Sequence, residues 1–272
     1  FKQKTAYEIG VRLVGSEMCI RDRSKNCAHF FMAELAIWMA GYTTVAIFPT
    51  ETAETVNYVL EHSGASLLFV GKLDTWNQQE PGVPAGVPRI AFPLAPRTDY
   101  DTWDSITGRT EPLGGRPARD PNDTAMIIYT SGSTGQPKGV MHCFENITRA
   151  SEGITADIKS RIGNLPENRI MSYLPLAHVF ERAWVECASM VDGNTHVFFA
   201  ETLDTFLADL NRARPTTFIS VPRLWLKFQQ GLFTKMPTPD SPATAPSTTC
   251  LEPFSFTAQP YLAERSVTPS VA

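Results

Sequence analysis

The chain has 272 residues, 43% of them apolar, enough for one large domain or two small ones with a real core. Its formal net charge of -4 leaves no basic footprint, so nucleic acid is excluded as a partner. The cysteines, Cys19, Cys27, Cys143, Cys187 and Cys250, form no CxxC pair and have no metal-ligand spacing, which points to a reduced, cytoplasmic compartment.

In chain order, residues 1–23 (FKQKTAYEIGVRLVGSEMCIRDR) open on Phe rather than Met and look like a translated sequencing-adapter tract. They are therefore expected to lie outside the fold. The competing reading is an N-terminal helix, with Tyr7, Val11 and Val14 at helical spacing. Ser24 is placed to cap a helix carrying Phe31, Leu35, Trp38 and Met39, followed by a strand over Thr43–Phe48. The apolar run His29–Phe48 approaches the ~20 residues a bilayer span needs. Glu34 and Gly41 inside it argue instead for a buried helix ending at the glycine. Thr52 caps a second helix with Val56, Val59 and Leu60 on one face and Gly64 past its end, before a strand over Leu67–Val70.

Residues 71–122 are proline-rich connections around a short strand, Arg89–Phe92, and a short helix near Trp103. Alternation resumes with strand Ala125–Tyr129, a glycine-rich loop, strand Gly139–Cys143 and a helix from about Glu145. Strand Ile170–Leu174, helix Val179–Met190, strand His196–Phe199, helix Leu203–Arg212, strand Thr217–Val221 and helix Leu224–Gly231 follow. Strands separated by helix-length segments predict an α/β fold with a mainly parallel, helix-covered sheet. Ligands of such sheets gather at the carboxyl ends of strands, where the loop after Tyr129 sits. From about Pro237 the chain becomes dense in Pro, Ser and Thr with no apolar period. Residues 237–272 are thus expected to be a disordered tail or a segment read out of frame. Asn122-Asp123-Thr124 and Asn146-Ile147-Thr148 fit the glycosylation sequon, but without a secretory signal they are chance matches.

The loop YTSGSTGQPKGV, Tyr129 to Val140, carries the chemistry. Gly132, Gly135 and Gly139 lack a Cβ, so backbone N–H groups can converge on an anion. The hydroxyls of Thr130, Ser131, Ser133 and Thr134 add donors, and Lys138 adds a positive charge. Each hydrogen bond to a charged phosphate contributes about 1.5–3 kcal/mol, so several together can hold a triphosphate. A plain surface turn would have the same composition, but it is seldom pinned between two apolar strands. A Walker loop fits poorly, because it needs Lys-Ser or Lys-Thr opening a helix.

The segment IIYTSGSTGQPKGVMH resembles the signature of the adenylate-forming (AMP-binding) superfamily. YLPLAHVFERAW (Tyr173–Trp184) resembles the form of the next motif found in long-chain fatty-acid–CoA ligases, and FISVPRLWLKFQQG (Phe218–Gly231) the strand and helix after it. With AELAIWMAGYTTVAIFPT upstream, the likeness spans residues 24–236, as a partial, N-terminal adenylation domain. It implies a ligase that joins a long-chain fatty acid to the α-phosphate of ATP, releasing pyrophosphate, and then passes the acyl group to CoA with loss of AMP. On that likeness Thr130 to Lys138 grip the phosphates, Thr130 helps to ligate Mg²⁺, and His178 lies beside the acyl carboxylate. A local reading of His178, as a cap on nearby backbone, stands beside it. Glu181 and Arg182 are expected to pair with neighbours, His142 to be structural, and Phe180, Trp184 and Trp225 to belong either to core or to an acyl tunnel.

The implied partners are small molecules (fatty acid, ATP and CoA), with peripheral contact to a membrane allowed because fatty acids reside there. No Gly-x-Thr-Glu block follows Val140, and no lysine follows Lys235. The polypeptide as written is therefore expected not to complete acyl-CoA synthesis. The rival readings are another adenylate former, acting on an aryl or amino acid or feeding a carrier protein, and a nucleotide-binding module without catalysis.

Overall fold

The computed structural model describes residues 19–23, 25–115, 117–130, 136–202 and 204–235. The tail 237–272, residues 1–18 and the cap expected at Ser24 lie outside the described residues. The chain divides into two compact units, residues 1–219 and 220–272.

The first unit is built on a seven-stranded sheet with order β5-β4-β3-β1-β2-β6-β7. Its strands are β1 (Cys19–Arg23), β2 (Thr43–Ala46), β3 (Ala65–Val70), β4 (Arg89–Ala91), β5 (Asp101–Thr102), β6 (Thr124–Thr130) and β7 (Lys138–Cys143). All neighbours run parallel except β6 and β7, which pair antiparallel. The parallel part follows from the crossovers, α1 (Ala28–Met39) and α2 (Ala53–His62) among them. The exception has the same cause. Only seven residues, 131–137, separate β6 from β7, too few for a crossover, so β7 returns antiparallel beside β6. A second sheet pairs β8 (Asn168–Ser172) with β9 (Thr195–Phe199) in parallel.

Helix α2 forms as its sequence dictates. Thr52 caps it by accepting from the Thr55 N–H, Val56, Val59 and Leu60 are buried, and Gly64 follows the end with φ +60°. Helix α1 differs in detail. Its N-cap is Cys27 with no side-chain cap, and the buried residues are Phe30, Ala33, Glu34, Ala36, Ile37 and Trp38. Phe31 and Leu35 are only half-buried. Nearly every residue of α1 is apolar, so spacing alone could not select the inward face. Among the described residues no helix is long and apolar enough to cross a membrane.

The segment Cys19–Arg23 takes a place in the sheet, between β2 and β3, although the sequence reading left all of 1–23 outside the fold. The ladder is made by backbone groups, so a strand can form there despite the charges of CIRDR.

Beyond the sheet, α3 (Trp76–Gln79), α4 (Trp103–Arg109) and α5 (Phe144–Ile162) lead to β8. The helix expected over Val179–Met190 is composite: α6 (Val179–Glu181), a π-helical turn (Arg182–Cys187) and α7 (Ala188–Asp192). Helix α8 (Phe206–Ala213) follows β9. The strand expected over Thr217–Val221 does not form. Thr217 makes a single parallel bridge to Ile170 and the rest is irregular. In the second unit, α9 (Pro222–Lys235) opens on a proline, the residue whose missing N–H suits a first helical position.

Candidate functional site

Strand β6 is apolar where the sheet needs it: Ala125, Met126, Ile128 and Tyr129 are buried, and only its last residue, Thr130, is exposed. Its parallel neighbour β2 matches it through Ala46↔Ile128, so Thr130 projects two residues beyond that pair at the carboxyl edge. Strand β7 returns with Thr130↔Lys138 and Tyr129↔Gly139 in register. Thr130 and Lys138 are therefore the facing residues that close the hairpin, and both are exposed. No ion pair occupies Lys138 among the described residues. Ser131, Gly132, Ser133, Thr134 and Gly135 lie outside the described residues. Of the expected phosphate-gripping set, the structure thus brings Thr130, Lys138 and Gly139 together.

Gly139 is fixed by space. A Cβ there would lie 2.8 Å from the Ile127 γ2 methyl and 3.2 Å from Tyr129 Cζ. Without a side chain, β7 lies close against the Tyr129 ring. Lys138 opens a strand rather than a helix, unlike the lysine of a Walker loop.

His178 stands at the junction between β8 and α6. It caps that helix: its Nδ1 accepts from the Phe180 N–H at 3.1 Å, while its own N–H donates to Pro175 O at 2.9 Å. An accepting Nδ1 puts the proton of the neutral ring on Nε2, which faces away from the cap as a donor. The ring is exposed, and no hydrogen bond joins it to the hairpin among the described residues. The local reading of His178 therefore describes the Nδ1 side of the ring.

Beneath this junction lies a group of buried charges. Arg182, 2% exposed, is ion-paired with Glu34, donates to Thr44 Oγ1 at 3.2 Å and has its Nε 3.6 Å from Glu186 Oε2. Thr44 Oγ1 donates to Glu34 Oε1 at 2.7 Å, and the Arg182 guanidinium lies over the Phe30 ring at 5.4 Å. The π-helical turn holds Arg182 and Glu186 both inward. Next to it, Glu181 Oε1 accepts from Ser172 Oγ at 2.7 Å, Tyr173 N at 3.0 Å and Asn26 Nδ2 at 3.4 Å. Burial nevertheless dominates and pushes the Glu181 carboxyl up to about 7. His142, on β7, is held below its ordinary value by burial and by the charge of Arg182. Cys187 is pushed up by burial. Glu181 and Arg182 thus pair with neighbours, as expected. The link from Glu34 to Arg182 spans 148 residues, and its one sequence signal was a glutamate inside an otherwise apolar helix.

Among the described residues no group of three or more His, Cys, Asp or Glu could hold a metal. Thr130 offers one exposed hydroxyl. That fits Mg²⁺ only as an ion arriving with phosphates, which leave it most of its oxygen ligands.

The AMP-binding enzyme family matches residues 23–252 of the chain. The human long-chain-fatty-acid–CoA ligase ACSBG2 is 29% identical over 222 residues, covering 75% of this chain and 32% of the relative. Fatty acyl-CoA synthetase A of Dictyostelium discoideum is 31% identical over 245 residues, covering 84% of this chain and 36% of the relative. The chain thus spans about a third of the length of these relatives. The A domain of a carboxylic acid reductase from Segniliparus rugosus, solved with AMP and a co-purified carboxylic acid, shares the fold with a TM-score of 0.70 and 21% identity, over 88% of this chain and 43% of that one.

Proposed function

The chain belongs to the AMP-binding enzyme family, and from that premise we propose that it is the phosphate-gripping part of a ligase that adenylates a long-chain fatty acid and transfers the acyl group to CoA. One observation carries this reading. The hairpin closed by Thr130 and Lys138 presents a hydroxyl and an exposed ammonium at the carboxyl edge of a parallel sheet. A polyanion seated there gains the Lys138 charge, the Thr130 hydroxyl, and the donors of the intervening segment from Ser131 to Gly135. Donors fixed before the reaction can stabilise charge that develops on phosphate oxygens, because they need not reorganise. The names of the two relatives support the acyl substrate.

The chemistry assigns the roles. The carboxylate oxygen bonds to the α-phosphorus of ATP and pyrophosphate leaves. The CoA thiolate then bonds to the acyl carbon and AMP leaves. Lys138 and Thr130 would serve the first step by neutralising and orienting the phosphates, and Thr130 would offer its hydroxyl to Mg²⁺ carried by the nucleotide. His178, whose Nδ1 is taken by the helix cap, is the residue this reading assigns to the acyl carboxylate, through Nε2.

The test is the affinity of the chain for Mg·ATP by titration calorimetry. Lys138→Ala is expected to weaken binding about tenfold or more, because a hydrogen bond to a charged group contributes about 1.5–3 kcal/mol. Equal affinity in the two proteins would remove the assignment.

A further inference from the structure

Both stems of the hairpin are tied to the same turn of helix α2. Tyr58 and His62 stand four residues apart on that helix, their rings stacked at 5.3 Å and 29°. Tyr58 donates its hydroxyl to the carbonyl of Pro137 at 3.2 Å, one residue before Lys138. His62 Nδ1 meets the hydroxyl of Tyr129 at 2.7 Å, one residue before Thr130, with the two rings edge to face at 5.8 Å and 83°. The Tyr129 ring can lie across the opposite strand because Gly139 has no Cβ. The bonds reach across 79 and 67 residues of sequence, so neither is a local by-product of the turn.

We infer that Tyr58 and His62 are positioning residues for the phosphate site: they clamp the residues before Thr130 and Lys138 and so fix where that hydroxyl and that ammonium stand. The inference rests on the polyphosphate reading above. Its physical basis is preorganisation. A pair of donors on a hairpin anchored at one edge only would have to be ordered by the ligand, at a cost in affinity. Two anchors on one rigid helix remove that cost before the ligand arrives. Neither Tyr58 nor His62 needs to touch the nucleotide.

The test compares wild type with Tyr58→Phe, Tyr129→Phe, His62→Ala and His62→Asn. The two phenylalanine variants remove a single oxygen each, and Asn keeps an acceptor on the side of Nδ1. The readouts are the Kd for Mg·tripolyphosphate, the melting temperature, and amide exchange at Thr130, Lys138 and Gly139. The expected result is a Kd about two- to tenfold higher in the Phe and Ala variants, the range one hydrogen bond spans. Exchange at the three amides should quicken, the melting temperature should hold, and His62→Asn should recover most of the affinity. A wild-type Kd in Tyr58→Phe and His62→Ala overturns the clamp. If the wild-type chain does not bind Mg·tripolyphosphate, the polyphosphate reading fails. Exchange then decides the clamp alone: faster exchange in Tyr58→Phe upholds it, and unchanged exchange overturns it.

Discussion

Two regions of this protein handle charge in opposite ways. At the β6–β7 hairpin, Thr130 and Lys138 are exposed, and Lys138 has no ion-pair partner among the described residues. Beneath α6, by contrast, Arg182, Glu34 and Glu186 are almost wholly buried and face one another. A charge already satisfied inside the protein has little left to offer a ligand, whereas an exposed ammonium on a fixed strand end keeps its field for whatever arrives. Removing the first kind should cost stability, and removing the second should cost binding.

The largest expected effect breaks the buried region. Arg182→Met leaves Glu34 and Glu186 buried without their cation and should destabilise the chain by about 3–5 kcal/mol, read from urea unfolding. A loss near zero would mean the cluster contributes no more than its surroundings. Glu181 sharpens the same side. Its carboxyl sits at about 7 in the fold against 4.5 as the ordinary value, so the folded chain favours the protonated form. The stability this gives is full below pH 4.5 and is lost as pH rises through 7, a swing of about 3 kcal/mol. Glu181→Gln keeps the Oε1 acceptor and cannot ionise. It should match wild type at pH 5 and exceed it by about 2–3 kcal/mol at pH 8; equal curves at both pH values would refute the burial argument.

At the hairpin the expected stability effects are smaller. Gly139→Ala forces a methyl against Ile127 and Tyr129 and should cost about 1–3 kcal/mol by thermal unfolding. No loss would show that the strands have room there. Lys138→Ala should change stability by no more than about 0.5 kcal/mol, the usual range for an exposed site, while Mg·ATP binding falls. A marked drop in melting temperature would move Lys138 into the structural class and erase the contrast.

The sequence made one of these regions legible and hid the other. The hairpin residues form a contiguous string, so Thr130, Lys138 and Gly139 could be named from spacing and residue type alone. What the string did not show was the antiparallel return of β7, which follows from counting seven connecting residues rather than from composition. Helix α2 was readable to its ends because a capping threonine, a clean apolar face and a terminal glycine agree. Helix α1 offered apolar residues on every side, and its inward face is chosen by the sheet it packs on. The ion pair of Arg182 with Glu34 joins residues 148 apart, and the π-helical turn that aims Arg182 leaves no composition mark. Both are products of tertiary packing. His178 falls between the two cases: its helix-start position was readable, and its capping bond through Nδ1 needed coordinates.

The central claim is that the polyphosphate of a nucleotide sits on the β6–β7 hairpin. The most direct measurement is an amide-resolved NMR titration of the chain with Mg·ATP, with Mg·tripolyphosphate as a second ligand. Shifts common to both ligands and centred on Thr130, Lys138 and Gly139 are expected, fading with distance into β6 and β7. Shifts gathered around another part of the sheet, with these three amides unmoved at saturation, would contradict the claim.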